Sequence, residues 1–239
     1  MDPLLLYLAE VKGFFKKKKV PSGFVAFALS VEGTFERRFE EGRNLKRGVY
    51  LFVRTKPFSL SFRQEDLNLS DGASVDLEVE GTLRFGTTEI DSRLALEGPL
   101  SGKTSLRLSS FSGIFRNLTR PSLESLFSKL RLQDLLSPSE SIFQAVKGAL
   151  SEIAISFGIE ESDWSSISFG GQALQKAREA AELIAVESEK ERLRISKRLA
   201  IEESEAQRRA RLQAKRLEEE LKNLKQLDRM LAEIGVGAQ

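Results

Sequence analysis

The sequence predicts an α+β fold, in which a small sheet-plus-helix domain is followed by one long, coiled-coil-like C-terminal α-helix. Three observations predict it. Segments rich in β-branched and aromatic residues, separated by glycines, fill residues 20–115. A helix with clear start and stop signals lies near residues 138–157. Gly and Pro are then absent from residues 172–234, where Ala, Leu, Glu, Lys and Arg predominate, as a long helix requires.

These patterns divide the chain into three parts. Residues 1–19 form an amphipathic, basic N-terminal segment, 20–170 the α+β domain, and 171–239 a long charged assembly helix. The chain has no Cys and no His, which excludes disulfides and His- or Cys-based catalysis and favours a cytoplasmic location. Net charge is only +2, so we expect no nucleic-acid partner. No apolar run reaches the roughly 18 residues that span a bilayer.

The N-terminal segment has an apolar pattern that predicts a short helix beginning at Asp2 and Pro3. Two interpretations fit this pattern. The helix either lies on an anionic membrane surface, peripheral to its cytoplasmic face, or packs on the protein body or a neighbouring subunit. The residues that would contact a membrane are Leu4, Leu8, Val11, Phe15, Lys16, Lys17, Lys18 and Lys19.

The strand signals are short segments punctuated by Gly and Pro. They predict strands at 24–29, 34–39, 48–54, 58–62 and 74–85. The strand at 74–85 is the clearest, because its odd positions are apolar and its even positions mostly charged, which predicts one buried and one exposed face. Segments 90–96 and 105–111 are predicted to add a hairpin across the loop 98–103.

The helix signals follow Arg120. Residues 121–130 predict a short helix, and a second helix is predicted to begin with Ser137 as N-cap, Pro138 and Glu140 and to end at Gly158. Residues 164–169 are predicted to form a last strand before Gly170 and Gly171, the hinge into the long helix.

The long helix carries apolar residues at a spacing of eleven, which is three helical turns, and it is too long for its own domain to cover. Such a seam runs nearly straight, and its many Ala residues let neighbouring helices approach closely, like staves of a barrel. The alternative is a solvated single helix with ion pairs four residues apart. The predicted assembly residues are Ala173, Ala177, Ile184, Ile195, Leu199, Ala206, Ala210, Leu217, Leu221 and Leu224.

The order of these elements resembles the SPFH or band 7 domain of stomatins, prohibitins, flotillins and the shoulder of the major vault protein. The resemblance rests on residues 20–33, with Pro21 and Gly23, on 45–85, with the pair Asp71 and Gly72, and on 151–169 before a long charged helix. It covers roughly residues 20–235. Two departures are the lack of a long hydrophobic N-terminal segment and a stretch at 87–119 richer in strand signals than in the family.

The resemblance implies a non-catalytic module that assembles into rings, cones or cages, with no cofactor. Among enzyme signals, residues 98–104 resemble a P-loop, but only three residues separate Gly98 from Gly102 where four are needed. The acidic pairs at 65–66 and 160–161 are better explained as solvated loop carboxylates. We therefore expect a homo-oligomeric scaffold. The alternative is a peripheral membrane organiser or a regulator of a membrane protease, with a membrane surface or membrane protein as client.

Overall fold

The computed structural model describes residues 2–12 and 18–235. The chain divides into two compact units, Met1–Arg178 and Glu179–Gln239. The first unit contains two antiparallel sheets, a short two-stranded ribbon and several helices, and the second belongs to one long helix. The α+β class with a long C-terminal helix is therefore confirmed.

The larger sheet has five strands in the order β4-β3-β6-β1-β9. Their bounds are β1 Leu4–Val11, β3 Phe24–Leu29, β4 Phe35–Phe39, β6 Gly48–Arg54 and β9 Ser105–Arg107. The predicted strands at 24–29 and 48–54 match their observed bounds, and the strand predicted at 34–39 begins one residue later.

The predicted N-terminal helix is wrong, because residues 4–11 form a strand inside this sheet. β1 pairs with β6, as in Leu6 opposite Val53, and with β9 on its other side. Leu5 and Leu6 are completely buried, and Val11 is buried at the end of the strand. An apolar run such as residues 4–9 suits a strand covered on both faces, and only its distant partners distinguish it from a helix. The first unit therefore begins with β1 rather than at residue 20.

The smaller sheet has the order β10-β8-β7, with β7 Phe58–Asn68, β8 Ser74–Phe85 and β10 Ile159–Gly170. β8 is central, as predicted, and its alternation is confirmed: Val75, Leu77 and Val79 are buried while Glu78 and Glu80 are exposed. Both outer strands are longer than predicted, because their charged and serine-rich ends gave weak strand signals.

Gly81 occupies one of the buried positions of this alternation, and it lacks a side chain for a steric reason. A Cβ atom at Gly81 would lie 2.6 Å from Cε3 of Trp164, so only glycine lets the indole lie against β8. The Trp164 Nε1 donates to Oγ of Ser151 at 3.1 Å, which satisfies its one polar atom. Trp164 also lies 5.7 Å from the ring of Phe115, within the main core.

Four helices lie between β8 and β10 in the chain, and β9 separates the first from the others. Their bounds are α1 Glu89–Glu97, α2 Leu108–Phe127, α3 Leu132–Leu136 and α4 Glu140–Ser156. The hairpin predicted from 90–96 and 105–111 is wrong. Thr88 and Asp91 form a capping box that begins α1. The segment after β9 turns directly into α2, whose buried stripe of Phe111, Phe115 and Phe127 packs against the core.

The helix predicted to begin at residue 121 is the second half of α2, which continues through Pro121. The predicted capping box at Ser137 is also wrong, because α4 has Ser139 as N-cap and no side-chain cap bond. Gly158 follows α4 with φ +75°, as predicted for a glycine that ends a helix.

A two-stranded ribbon, β2 Lys18–Lys19 and β5 Asn44–Leu45, pairs Lys18 with Leu45 and Lys19 with Asn44. Leu45 and Val20 point into a second apolar cluster with Tyr50 and Phe52 of β6. The Lys18 ammonium lies 5.8 Å from the centre of the Phe52 ring, so the ribbon packs its apolar side on this cluster and leaves both lysines exposed.

Candidate assembly interface

The long helix α5, Gln172–Gly235, has 64 residues and is about 95 Å long at 1.5 Å per residue. It starts where Gly171, at φ +101°, turns the chain out of β10. A Cβ atom at this position would lie 3.2 Å from the Asp76 backbone nitrogen and 3.3 Å from the Val75 Cα. Gly171 is therefore the residue that the hinge requires.

The first two turns of α5 are anchored to the first unit. Leu174 is completely buried and belongs to the main core. The guanidinium of Arg178 donates to the carbonyl oxygen of Phe169 at 3.5 Å. Of the predicted assembly residues, Ala173 and Ala177 lie in this anchored part and are half-buried.

The other eight predicted assembly residues lie beyond the anchor and are all exposed: Ile184, Ile195, Leu199, Ala206, Ala210, Leu217, Leu221 and Leu224. At the roughly 98° per residue that an eleven-residue repeat in three turns implies, all except Leu224 share one narrow strip, which we call the seam face; the roughly 100° of an ideal α-helix turns this strip slowly around the axis. Leu224 lies about 35° to one side.

A second apolar strip lies on the other side of α5, and sequence reasoning missed it. Its residues are Leu183, Val186, Ile201, Leu212, Leu227 and Met230, which we call the second face. They lie about 200° to 260° around the helix from the start of the seam face. The sequence did contain a signal for this face. Ile201 and Leu212 are eleven residues apart, and the pairs Leu183–Leu227 and Val186–Met230 are each four such repeats apart.

The large apolar side chains of both faces have exposed fractions between 50% and 67%. Full burial of such a side chain is worth about 1.5–3 kcal/mol, so a contact that covered either face would be stabilised by it. Glu205 and Arg209 form an ion pair at the four-residue spacing, with 3.6 Å between the charged groups.

The residues predicted for a membrane helix are dispersed by the sheet. Leu4 and Leu8 are half-buried and Val11 is buried in β1, while Lys18 and Lys19 are exposed on the ribbon. Phe15, Lys16 and Lys17 lie outside the described residues. None of the helices in the described part of the chain is long and apolar enough to cross a bilayer.

The enzyme signals lie in ordinary structural positions. In the glycine-rich loop after α1, the Ser101 N–H donates to the Gly98 carbonyl and the Lys103 N–H donates to the Leu100 carbonyl, so these amides are not free to bind a phosphate. A strand rather than a helix follows the loop. The acidic pairs are exposed; Glu65 lies near Arg63, and Glu160 and Glu161 lie near Arg84. Among residues 2–12 and 18–235, no cluster of three or more Asp or Glu residues is placed to hold a metal ion.

No protein-family model matches the chain, and no curated protein matches it. The resemblance to the SPFH or band 7 domain therefore stays a prediction.

Proposed function

We propose that this protein is a non-catalytic, homo-oligomeric scaffold whose α5 helices pack side by side in parallel. The observation that carries the proposal is the pair of opposite, uncovered apolar faces on α5. A helix with one apolar face is satisfied by one partner. A helix with two opposite faces needs a neighbour on each side.

This requirement favours a heterologous contact, in which the seam face of one copy meets the second face of the next. Heterologous contacts generate rings where the rotation closes and open arrays where it does not. The eleven-residue spacing keeps both strips nearly straight over the whole helix. We therefore propose a ring, cone or cage of parallel α5 helices, held by each copy's globular unit at the α5 N-terminus. A cytoplasmic location and an SPFH-like relationship are part of this proposal.

The peripheral membrane organiser remains the second candidate function. The N-terminal helix on which it depended is a strand, but Lys18 and Lys19 stay exposed on the ribbon. An anionic surface is therefore one of the partners that must be tested for this ribbon.

The test is the mass of the purified protein in solution. We expect large particles from the parent chain and a loss of mass when Ala206→Glu and Ala210→Glu place carboxylates on the seam face. The control is Ser196→Glu with Gln207→Glu, which adds the same charge at exposed positions about 100° around the helix from the seam residues Ile195 and Ala206. An equal loss in the control, or no loss in the seam variant, would contradict the proposal.

A further inference from the structure

The first unit is electrically polarised along the sequence. Residues 12–56 contain twelve Lys or Arg and four Glu or Asp, whereas residues 65–163 contain nine Lys or Arg and sixteen Glu or Asp. The first stretch contains the ribbon and most of the larger sheet, and the second contains most of the smaller sheet. The near-neutral net charge of the whole chain conceals this separation.

The positive charge is concentrated on the ribbon. We define the basic ribbon as Lys18, Lys19, Arg43, Lys46 and Arg47, which are exposed and flank the β2–β5 pairing. Among the described residues, these five side chains have no ion-pair partner within 4.0 Å.

The carboxylates close to the ribbon in sequence are already engaged elsewhere. Glu10 pairs with Lys12 at 3.1 Å, and Glu40 pairs with Arg38 at 3.0 Å. Glu41 accepts a hydrogen bond from the Gly23 backbone at 2.8 Å, and that bond lowers its pKa. The basic ribbon therefore presents uncompensated charge to a partner.

The negative charge is concentrated on the exposed side of the smaller sheet. We define the acidic face as Glu65, Asp76, Glu78, Glu80, Glu160, Glu161 and Asp163, with Arg63 and Arg84 among them. Arg63 is shared by three of these carboxylates, with Asp76 closest at 2.6 Å. Arg84 is shared by Glu160 and Glu161. Glu80 and Asp163 have no ion pair within the described residues.

We propose that the basic ribbon of one copy docks on the acidic face of the next copy. The two surfaces are matched in charge: five cations face seven carboxylates that only two arginines offset. No ion pair joins the two surfaces within the described part of one chain. This contact is heterologous, like the contact proposed between the α5 faces, and in that respect it rests on the proposed function.

The contribution of this docking is orientation and rate of assembly more than bulk affinity. Complementary charge steers encounter and suppresses wrong registers, and salt weakens it, because the Debye length falls to about 3 Å at 1 M ionic strength. Apolar contact along α5 is not screened in this way. Salt therefore separates the two contacts experimentally.

The experiment is charge reversal on the full chain, read as particle mass at low and high salt. The ribbon variant is Lys19→Glu with Lys46→Glu, and the face variant is Glu80→Lys with Asp163→Lys. We expect the particle mass of the parent to fall when the salt concentration is raised. Each of the two variants should already have the lower particle mass at low salt, because its charged contact is lost. The chain with all four changes should regain it. The control, Lys103→Glu with Lys129→Glu, reverses two exposed lysines outside both surfaces and should behave as the parent.

Three outcomes would overturn the docking. One is a parent whose mass does not depend on salt. Another is a four-change variant no better than the single-surface variants. The third is an unchanged mass in the ribbon variant with lost binding to phosphatidylserine vesicles, which would assign the ribbon to a membrane. If only the proposed α5 assembly failed, the parent would still form particles at low salt but would be a single chain at high salt.

Discussion

Apolar residues are mostly buried in the globular unit and mostly exposed on the long helix beyond Arg178. In the globular unit, residues such as Val79 and Phe115 are completely buried by partners distant in the sequence. Beyond Arg178, apolar residues such as Leu199 and Leu212 are more than half exposed. The first region buries its apolar residues within one chain, whereas the second leaves its apolar strips exposed, and we propose that another copy covers them.

A charged residue placed in the core of the globular unit should have the largest effect on its stability. Val79 is completely buried in β8, opposite Phe62 and Ile167. We expect Val79→Asp to lower the free energy of unfolding by about 3 kcal/mol or more, because it buries an unpaired carboxylate. Ser74→Asp, at an exposed position at the start of the same strand and opposite Asn68, is the control and should unfold like the parent in urea. Equal denaturation midpoints would mean that the strand register is wrong.

Truncation sharpens the boundary between the two regions. Ending the chain after Arg178 keeps the buried Leu174, whereas ending it after Gly171 removes that side chain from the core. We expect both fragments to be monomeric by light scattering at about 1 M salt, where contacts between charged surfaces are screened. The shorter one should be less stable by about 1.5–3 kcal/mol, the value of burying one leucine. Equal stability would place the functional end of the globular unit at the hinge, before α5 begins.

The sequence predicted those elements whose signals are local. The long helix needed only composition and spacing, and β8 needed only alternation, so both were found with nearly correct bounds. β1 failed because apolar residues at 4, 8 and 11 fit a helical face, and its pairing with β6 is contributed by residues about 40 positions away. The prediction for residues 90–96 was wrong because the Thr88–Asp91 capping box was not recognised in a stretch with β-like alternation.

The candidate interface was predicted in part. The seam face was found because its period is regular along the whole helix. The second face was missed because charged residues occupy several of its repeat positions, such as Arg194 and Glu205 between Leu183 and Leu227. The basic ribbon was also missed, because it depends on the pairing of residues 18–19 with residues 44–45.

Acid provides a smaller effect that is confined to the globular unit. The Leu132 N–H donates to Asp71 at 2.8 Å, and this bond holds the pKa of Asp71 below its usual value. A lowered folded-state pKa stabilises the fold above the unfolded value of about 3.9, and this contribution is lost as pH falls through the folded value. We expect Asp71→Asn to reduce the fall in Tm below about pH 4. Glu97→Gln, at an exposed position on α1, is the control, and an identical pH profile for parent and Asp71→Asn would refute the assignment.

The central claim is that the two faces of α5 bind each other between copies, and a mixing measurement tests it most directly. One variant carries Ala206→Glu and Ala210→Glu on the seam face, and the other carries Ile201→Glu and Leu212→Glu on the second face. Sedimentation at about 1 M salt removes the contribution of charged contacts between globular units. The account predicts single chains from each variant alone and pairs from their mixture, because each retains the face that the other lacks. A second-face variant that forms dimers by itself would contradict it, since the seam face would then bind its own kind.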